Sequence, residues 1–411
     1  MCIYRAEIIG SLSQPDYLKQ ARVKRAGKTA EVKSAAQNAS NARKTSSAAA
    51  ETEKPSNLQG GTLLSPTAGD KNSPVDDPER LSAREYKRIE DRAVDEAIAL
   101  QENLGLDVVN DGEQRRINFA NRWIAGMDGV SPIPSIPFKW RGSLGEIEVR
   151  WPMTVTSKIR RRLPETLEEF TYARARTSKP LKVTLPSPLL LSAFYSAEHS
   201  ASAYPDPFEL FEDGAEVIRQ ECMELAAAGC EYIQIDCPEL TFAGDPYVCE
   251  NFLAPRNISA DRFLKDGIAL LNRIADVPGV KFGMHICRGG GGAKSHFSEG
   301  GYEAISKAVF RGAPNYDVFL LEYDDWRSGS FEPLRDVPTD KAVILGLVSN
   351  VEALASETRE NLAGRIDEAS RFFPKENMGV STRCGLLGSP SMEFQSARLR
   401  LVAEVARSVW S

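Results

Sequence analysis

Eight short apolar runs recur along this chain, near residues 6–10, 107–111, 181–185, 231–236, 281–286, 317–322, 342–348 and 378–382. Most are separated by stretches whose apolar residues fall at helical spacing, over 81–105, 207–228, 260–275, 301–311, 351–372 and 391–409. Alternating strands and helices predict parallel pairing, because parallel neighbours need a long crossover between them. Eight such units point to an α/β fold, a (β/α)8 TIM barrel; a doubly wound open sheet shares the alternation. The barrel is favoured because unusual polar residues collect at the C-terminal ends of the runs, where barrels place their chemistry. They are Gly10–Ser11, Asp111–Glu113, Asp236, His285–Cys287, Glu322 and Cys384. A β-hairpin is expected over 136–157, around Gly142 and Gly145.

One stretch breaks the pattern. Residues 26–77 are mostly Ala, Ser, Thr, Lys, Asn, Gly and Pro, with no aromatic residue. Such a segment buries too little apolar surface to offset the entropy of ordering, so a disordered insert after the first strand is expected. It would interrupt a single catalytic barrel domain spanning 1–411, as a solvated loop rather than a regulatory or targeting segment. Order resumes at Leu81, where Ser82 and Glu85 form a capping-box pattern and Gly105 closes the helix.

The net charge of −6 gives no basic excess for nucleic acid, and no apolar run reaches the length of a membrane span. The N-terminus MCIYRAEIIGS lacks the pattern of a signal peptide. Seven cysteines, odd in number and irregularly spaced, fit a reducing, cytoplasmic setting better than a disulfide framework.

The stretch KFGMHICRGG, 281–290, carries the sharpest chemical signal. Residues i and i+2 of a strand share a face, so His285 and Cys287 project together. An imidazole and a thiol make half of a tetrahedral zinc site. Glu322, ending DVFLLE, and Cys384, in GVSTRCGLLG, stand at comparable strand ends and supply the other half. The competing reading is a buried His, two packed thiols and a Glu held by an Arg; spacing alone leaves the two open.

Six ordered blocks carry a family likeness: IIGSL, LGLDVVNDGEQRR, EYIQIDCPEL, MHICRGG with FSEGGYEAI, FLLEYDDWRSGSFEPL, and STRCGLLGS. Through them the chain resembles the C-terminal catalytic barrel of cobalamin-independent methionine synthase, in its short single-barrel branch. The resemblance implies that His285, Cys287, Glu322 and Cys384 bind Zn2+. It implies that Glu113 and Asp236 hold the amino group of a homocysteine-like thiol, and that Gly10–Ser11 takes its carboxylate. Two carboxylates suit an ammonium; backbone N–H and hydroxyl donors suit a carboxylate.

The implied activity is transfer of a methyl group from 5-methyltetrahydrofolate to homocysteine, giving methionine. The leaving amine needs a proton. The histidine used by full-length members has no counterpart here, so the candidate acids are Asp324 and His296, the latter expected in an exposed loop. Glycines 289–292 let backbone N–H groups approach an anion beside Arg288, although a flexible lid is the plainer reading. Full-length members also carry an N-terminal barrel that helps hold the polyglutamylated folate. Competing expectations are alkyl transfer to another thiol, or from an epoxide or methyl-corrinoid donor. A metal-binding scaffold without turnover is a further one.

Overall fold

The computed structural model describes residues 3–26, 81–143, 145–290, 295–352 and 356–410. The expected insert, apart from Ala26, lies outside the described residues. The chain groups into two compact units, Gln14–Ala93 and the remainder, Met1–Ser13 with Val94–Ser411. The smaller unit contains the helix Asp16–Ala26 and the first half of the helix Ala83–Leu104. The second helix opens on the expected capping box: the Glu85 N–H donates to Ser82 Oγ at 3.2 Å, and the Ser82 N–H to Glu85 Oε2 at 3.0 Å. Arg22 Nε donates to the Tyr86 hydroxyl at 3.3 Å, joining the two helices.

The larger unit contains β1 (Ala6–Glu7), β2 (Met127–Ser131), β3 (Phe138–Trp140), β4 (Ile147–Val149), β5 (Thr154–Arg161), β6 (Lys182–Pro186), β7 (Tyr232–Asp236), β8 (Lys281–Ile286), β9 (Val318–Glu322), β10 (Ala342–Val348) and β11 (Met378–Thr382). Seven strands form one parallel sheet in the order β1-β11-β10-β9-β8-β7-β6. Asp107–Asn110 closes the ring as its eighth stave. Val109 bridges in parallel to Leu181, and the Asp107 N–H donates to the Ala6 carbonyl at 2.9 Å. This stave is irregular because the Asp107 carboxylate, not a backbone carbonyl, accepts from the Arg5 and Ala6 N–H groups at 2.7 and 3.1 Å. Closure decides for the barrel over the open sheet.

Inside and outside follow the two-residue period. In β9, Phe319 and Leu321 join the core beneath the helices, while Val318 and Leu320 join Ile9, Ala342 and Ile344 in a separate lumenal cluster. On the same rule β6, β7 and β8 turn Val183, Leu185, Ile233, Ile235, Phe282, Met284 and Ile286 outward to the helices. Thr184, Gln234, Asp236 and His285 are left facing the lumen, all buried.

Three local expectations change. The hairpin is real only over β3 and β4, with Phe138 opposite Val149. Beyond it, β5 pairs antiparallel with β2, a strand whose MDGVS sequence has too little alternation to announce itself. The helix expected over 301–311 is Ser306–Gly312, because consecutive glycines, 300 and 301, disfavour helix just upstream. The one expected over 351–372 is Arg359–Ala369, started by Thr358, whose hydroxyl accepts from the Asn361 N–H. The helix Glu165–Arg174 was not anticipated.

Candidate active site

The barrel brings His285, Cys287 and Cys384 together at its C-terminal mouth. One ligand atom from each lies within 4.8 Å of the others. Strand β8 supplies His285, the residue just past its end is Cys287, and the segment after β11 supplies Cys384. His285 Nδ1 lies 3.3 Å from the Leu320 carbonyl, which holds the ring proton there. Nε2 is left buried and without a partner, its lone pair free for a metal. The two sulfurs share a hydrogen bond at 4.0 Å. That hydrogen bond lowers the Cys384 pKa well below its ordinary value, helped by His285 and Arg383, and raises that of Cys287. A donor set of one imidazole and two cysteine sulfurs is chemistry that suits zinc.

Glu322 ends β9 beside this trio but is not drawn into it. Its Oε1 accepts from Arg327 Nη2 at 2.5 Å and Arg383 Nη1 at 2.9 Å, and its Oε2 from the Arg288 N–H at 2.8 Å. Burial pushes its pKa up, but Arg383, Arg327 and Arg288 outweigh it and hold the carboxyl at about 2. Asp324, also buried, lies with Oδ2 at 3.2 Å from Arg383 Nε. Burial raises its pKa to about 7, against the pull of Arg383.

His296 departs from its expected exposure. It is buried, Nε2 lies 2.6 Å from Glu299 Oε1, and its backbone pairs with that of Arg141 from the hairpin. Arg288 departs too. Its guanidinium is buried over the Tyr302 ring and donates to the carbonyls of Gly300 at 2.8 Å and Glu322 at 3.3 Å. These bonds brace the loop, while Nη2 is buried without a partner. Residues 291–294 of that loop lie outside the described residues.

The expected amino-acid side of the site is also assembled. Glu113 is buried in a left-handed backbone conformation, φ 53°. Its Oε1 accepts from the Thr184 hydroxyl at 2.7 Å, and Oε2 is buried without a partner. Arg116 Nη1 lies 3.8 Å from Oε1, a buried ion pair. A Cβ on Gly10 would lie 2.7 Å from Glu113 Oε1, so the backbone just after β1 comes this close without shifting the carboxylate because residue 10 is glycine. Ser11 packs on Gly385, one residue past Cys384, where an added Cβ would meet Ser11 Oγ at 2.1 Å. Asp236 Oδ1 accepts from Gln234 Nε2 at 2.7 Å. Burial raises Glu113 to about 7, with Asp236 adding to the shift, and raises Asp236 to about 6.

Sequence reasoning missed Thr184, Gln234, Arg327 and Arg383. The first two carried a signal: each is a polar residue inside an otherwise apolar strand, and Gln234 stands two before Asp236 on the same face. The arginines carried none, because their partners are set by loop geometry.

A parallel barrel whose mouth gathers an imidazole and two cysteines that could hold a metal ion, beside two buried carboxylates, has the layout of a barrel enzyme with its chemistry at the C-terminal end of the strands. The profile of the family described as "Cobalamin-independent synthase, Catalytic domain" matches residues 71–288. The chain belongs to that family, and so to the methyltransferases of methionine synthase type. The uncharacterized protein YxjG of Bacillus subtilis is 30% identical over 353 residues, covering 80% of this chain and 88% of that protein. The methionine synthase of Saccharolobus solfataricus is 27% identical over 287 residues, 69% of this chain and 73% of that one. Among solved structures, a B12-independent methionine synthase from Shewanella, in complex with selenomethionine, superposes with a TM-score of 0.63 at 23% identity, covering 80% of this chain and 90% of that one. That likeness supports the barrel fold.

Proposed function

We propose that this protein is a zinc-dependent S-methyltransferase that makes methionine from homocysteine, with a methyltetrahydrofolate as donor. The observation that carries the proposal is the convergence of His285 Nε2, Cys287 Sγ and Cys384 Sγ beside Glu113 and Asp236. The residues fit zinc, since a buried, unpartnered imidazole nitrogen otherwise leaves a polar atom unsatisfied. His285, Cys287 and Cys384 would hold the ion, with Glu322 as fourth ligand once it leaves its arginines. Bound there, zinc supplies a lowered pKa for a substrate thiol while two cysteine ligands keep that sulfur nucleophilic.

The chain's own residues do the rest. Glu113 and Asp236 receive the substrate ammonium, and Gly10–Ser11 its carboxylate. The sulfur is thereby turned toward the cysteine pair. In the transfer an S–C bond forms and the donor's C–N bond breaks, its electron pair passing to nitrogen. That nitrogen takes a proton, for which Asp324 is the favoured acid: burial raises its pKa to about 7, whereas His296 is tied to Glu299.

The test is transfer of an isotope-labelled carbon group to homocysteine by zinc-loaded protein, a methyl group from the folate and corrinoid donors and the ring-opened hydroxyalkyl group from an epoxide. Donors to compare are methyltetrahydrofolate, its polyglutamate, a methylated corrinoid protein and an epoxide. Label in methionine from either folate supports the proposal. Transfer from the corrinoid or epoxide alone moves the protein to another donor class, and no transfer from any donor leaves the scaffold reading.

A further inference from the structure

We infer that Thr184 and Gln234 are positioning residues that select for a thiol bearing an amino group, by fixing one oxygen of each receiving carboxylate and leaving the other free. The inference rests on the reading of Glu113 and Asp236 as the ammonium site.

The two residues are register partners on the adjacent strands β6 and β7, in the lumenal layer just beneath the carboxylates. Both are buried, Gln234 completely. The direction of each hydrogen bond is forced. Arg116, anchored by Glu169 at 2.8 Å, donates through Nη1 to the Thr184 carbonyl at 3.0 Å and to its hydroxyl at 3.1 Å. A guanidinium only donates, so the Thr184 hydroxyl accepts from it and has one proton to give, to Glu113 Oε1 at 2.7 Å. Gln234 has one orientation compatible with Asp236. The amide nitrogen faces Oδ1 at 2.7 Å, because the flipped amide would set two acceptors against each other.

Each carboxylate is thus pinned by a neutral donor below it. Glu113 Oε2 is buried without a partner. Asp236 is close enough to act electrostatically on Glu113. Arg116 Nη1, 3.8 Å from Glu113 Oε1, offsets part of this charge from below, and a cation with several N–H donors arriving from the mouth relieves the remaining repulsion between the two carboxylates. A primary ammonium is that cation, and it meets oxygens already aimed. A thiol without the amino group leaves both acceptors unpaired, a loss that hydrogen-bonding sites turn into strong discrimination.

The experiment measures dissociation constants on zinc-loaded full-length protein by calorimetry, for homocysteine and for 4-mercaptobutyrate, which lacks the amino group. Variants are Thr184→Val, Thr184→Ser and Gln234→Leu. Thr184→Val and Gln234→Leu are each expected to weaken homocysteine about tenfold, the scale of one hydrogen bond to a charged group. Both should move 4-mercaptobutyrate less than about twofold, and Thr184→Ser should restore homocysteine binding, because the hydroxyl is kept. Unchanged homocysteine affinity in both truncations overturns the inference, as does an equal loss for both thiols, which marks general damage. If wild-type protein binds the two thiols equally well, the ammonium reading fails, and this inference with it; that outcome is recognised in the wild type, without the variants.

Discussion

Asp236 and Glu113 sit at the scale where the chemistry is set. Their carboxyls are pushed to about 6 and about 7, chiefly by burial. An ammonium binds the ionised forms, so affinity rises as pH climbs through both values and levels off above about 7. Methionine reports this cleanly because it has no ionisable thiol. Its affinity is expected to rise between about pH 5.5 and 7.5, and a flat calorimetric profile would contradict the assignment. The linkage to folding has the opposite sense. Between the ordinary carboxyl range and these raised values the folded state holds more protons than the unfolded one, so these two groups lower stability as pH rises. Asp236→Ala is expected to weaken homocysteine at least tenfold while zinc is retained, checked by calorimetry and metal analysis together. His285 and Cys287 were legible as a same-face pair from their spacing. Glu322 was legible as a strand-end acid, but its three-arginine setting was not, because Arg327 and Arg383 reach it from separate loops.

At the scale of elements, two features hold the mouth in shape. Gly10 lets β1 approach Glu113, and Gly10→Ala would push a methyl group against the carboxylate. We expect a loss of about 1–3 kcal/mol of stability, read as a lowered Tm, together with weaker thiol binding. The hairpin β3–β4 is pinned across the ligand-bearing loop. Arg141 ion-pairs with Asp245 and donates to the Phe297 carbonyl, and Asp245 Oδ2 also accepts from the Glu299 N–H at 2.7 Å. Asp245→Ala strands a partly buried guanidinium and an N–H group, so a loss of about 3 kcal/mol is expected in denaturant melts. The hairpin was visible in the sequence as two apolar runs around glycines. Its docking on residues 295–297 was not, since the bridge from Arg141 to His296 joins backbone to backbone and leaves no side-chain signature. That docking is why His296, read as an exposed loop residue, is buried.

For the whole molecule, the barrel was legible because apolar strand runs alternate with helical stretches and polar residues gather at the C-terminal ends of the runs. The eighth stave was readable as an apolar run, yet its irregular pairing depends on Asp107 replacing a backbone acceptor, which periodicity does not reveal. Closure matters for function. It turns residues far apart in sequence, 113, 236, 285 and 384, toward one mouth, so a single substrate would meet the proposed ammonium and metal sites together. Among the described residues no helix is long and apolar enough to cross a membrane.

The most direct test of the metal centre is the zinc content of purified, zinc-loaded protein compared with Cys384→Ser, by mass spectrometry. Wild type is expected to hold close to one zinc ion per chain and the variant to lose most of it, along with methyl transfer. Full zinc retention in Cys384→Ser, or a wild-type protein that takes up none, would contradict the account.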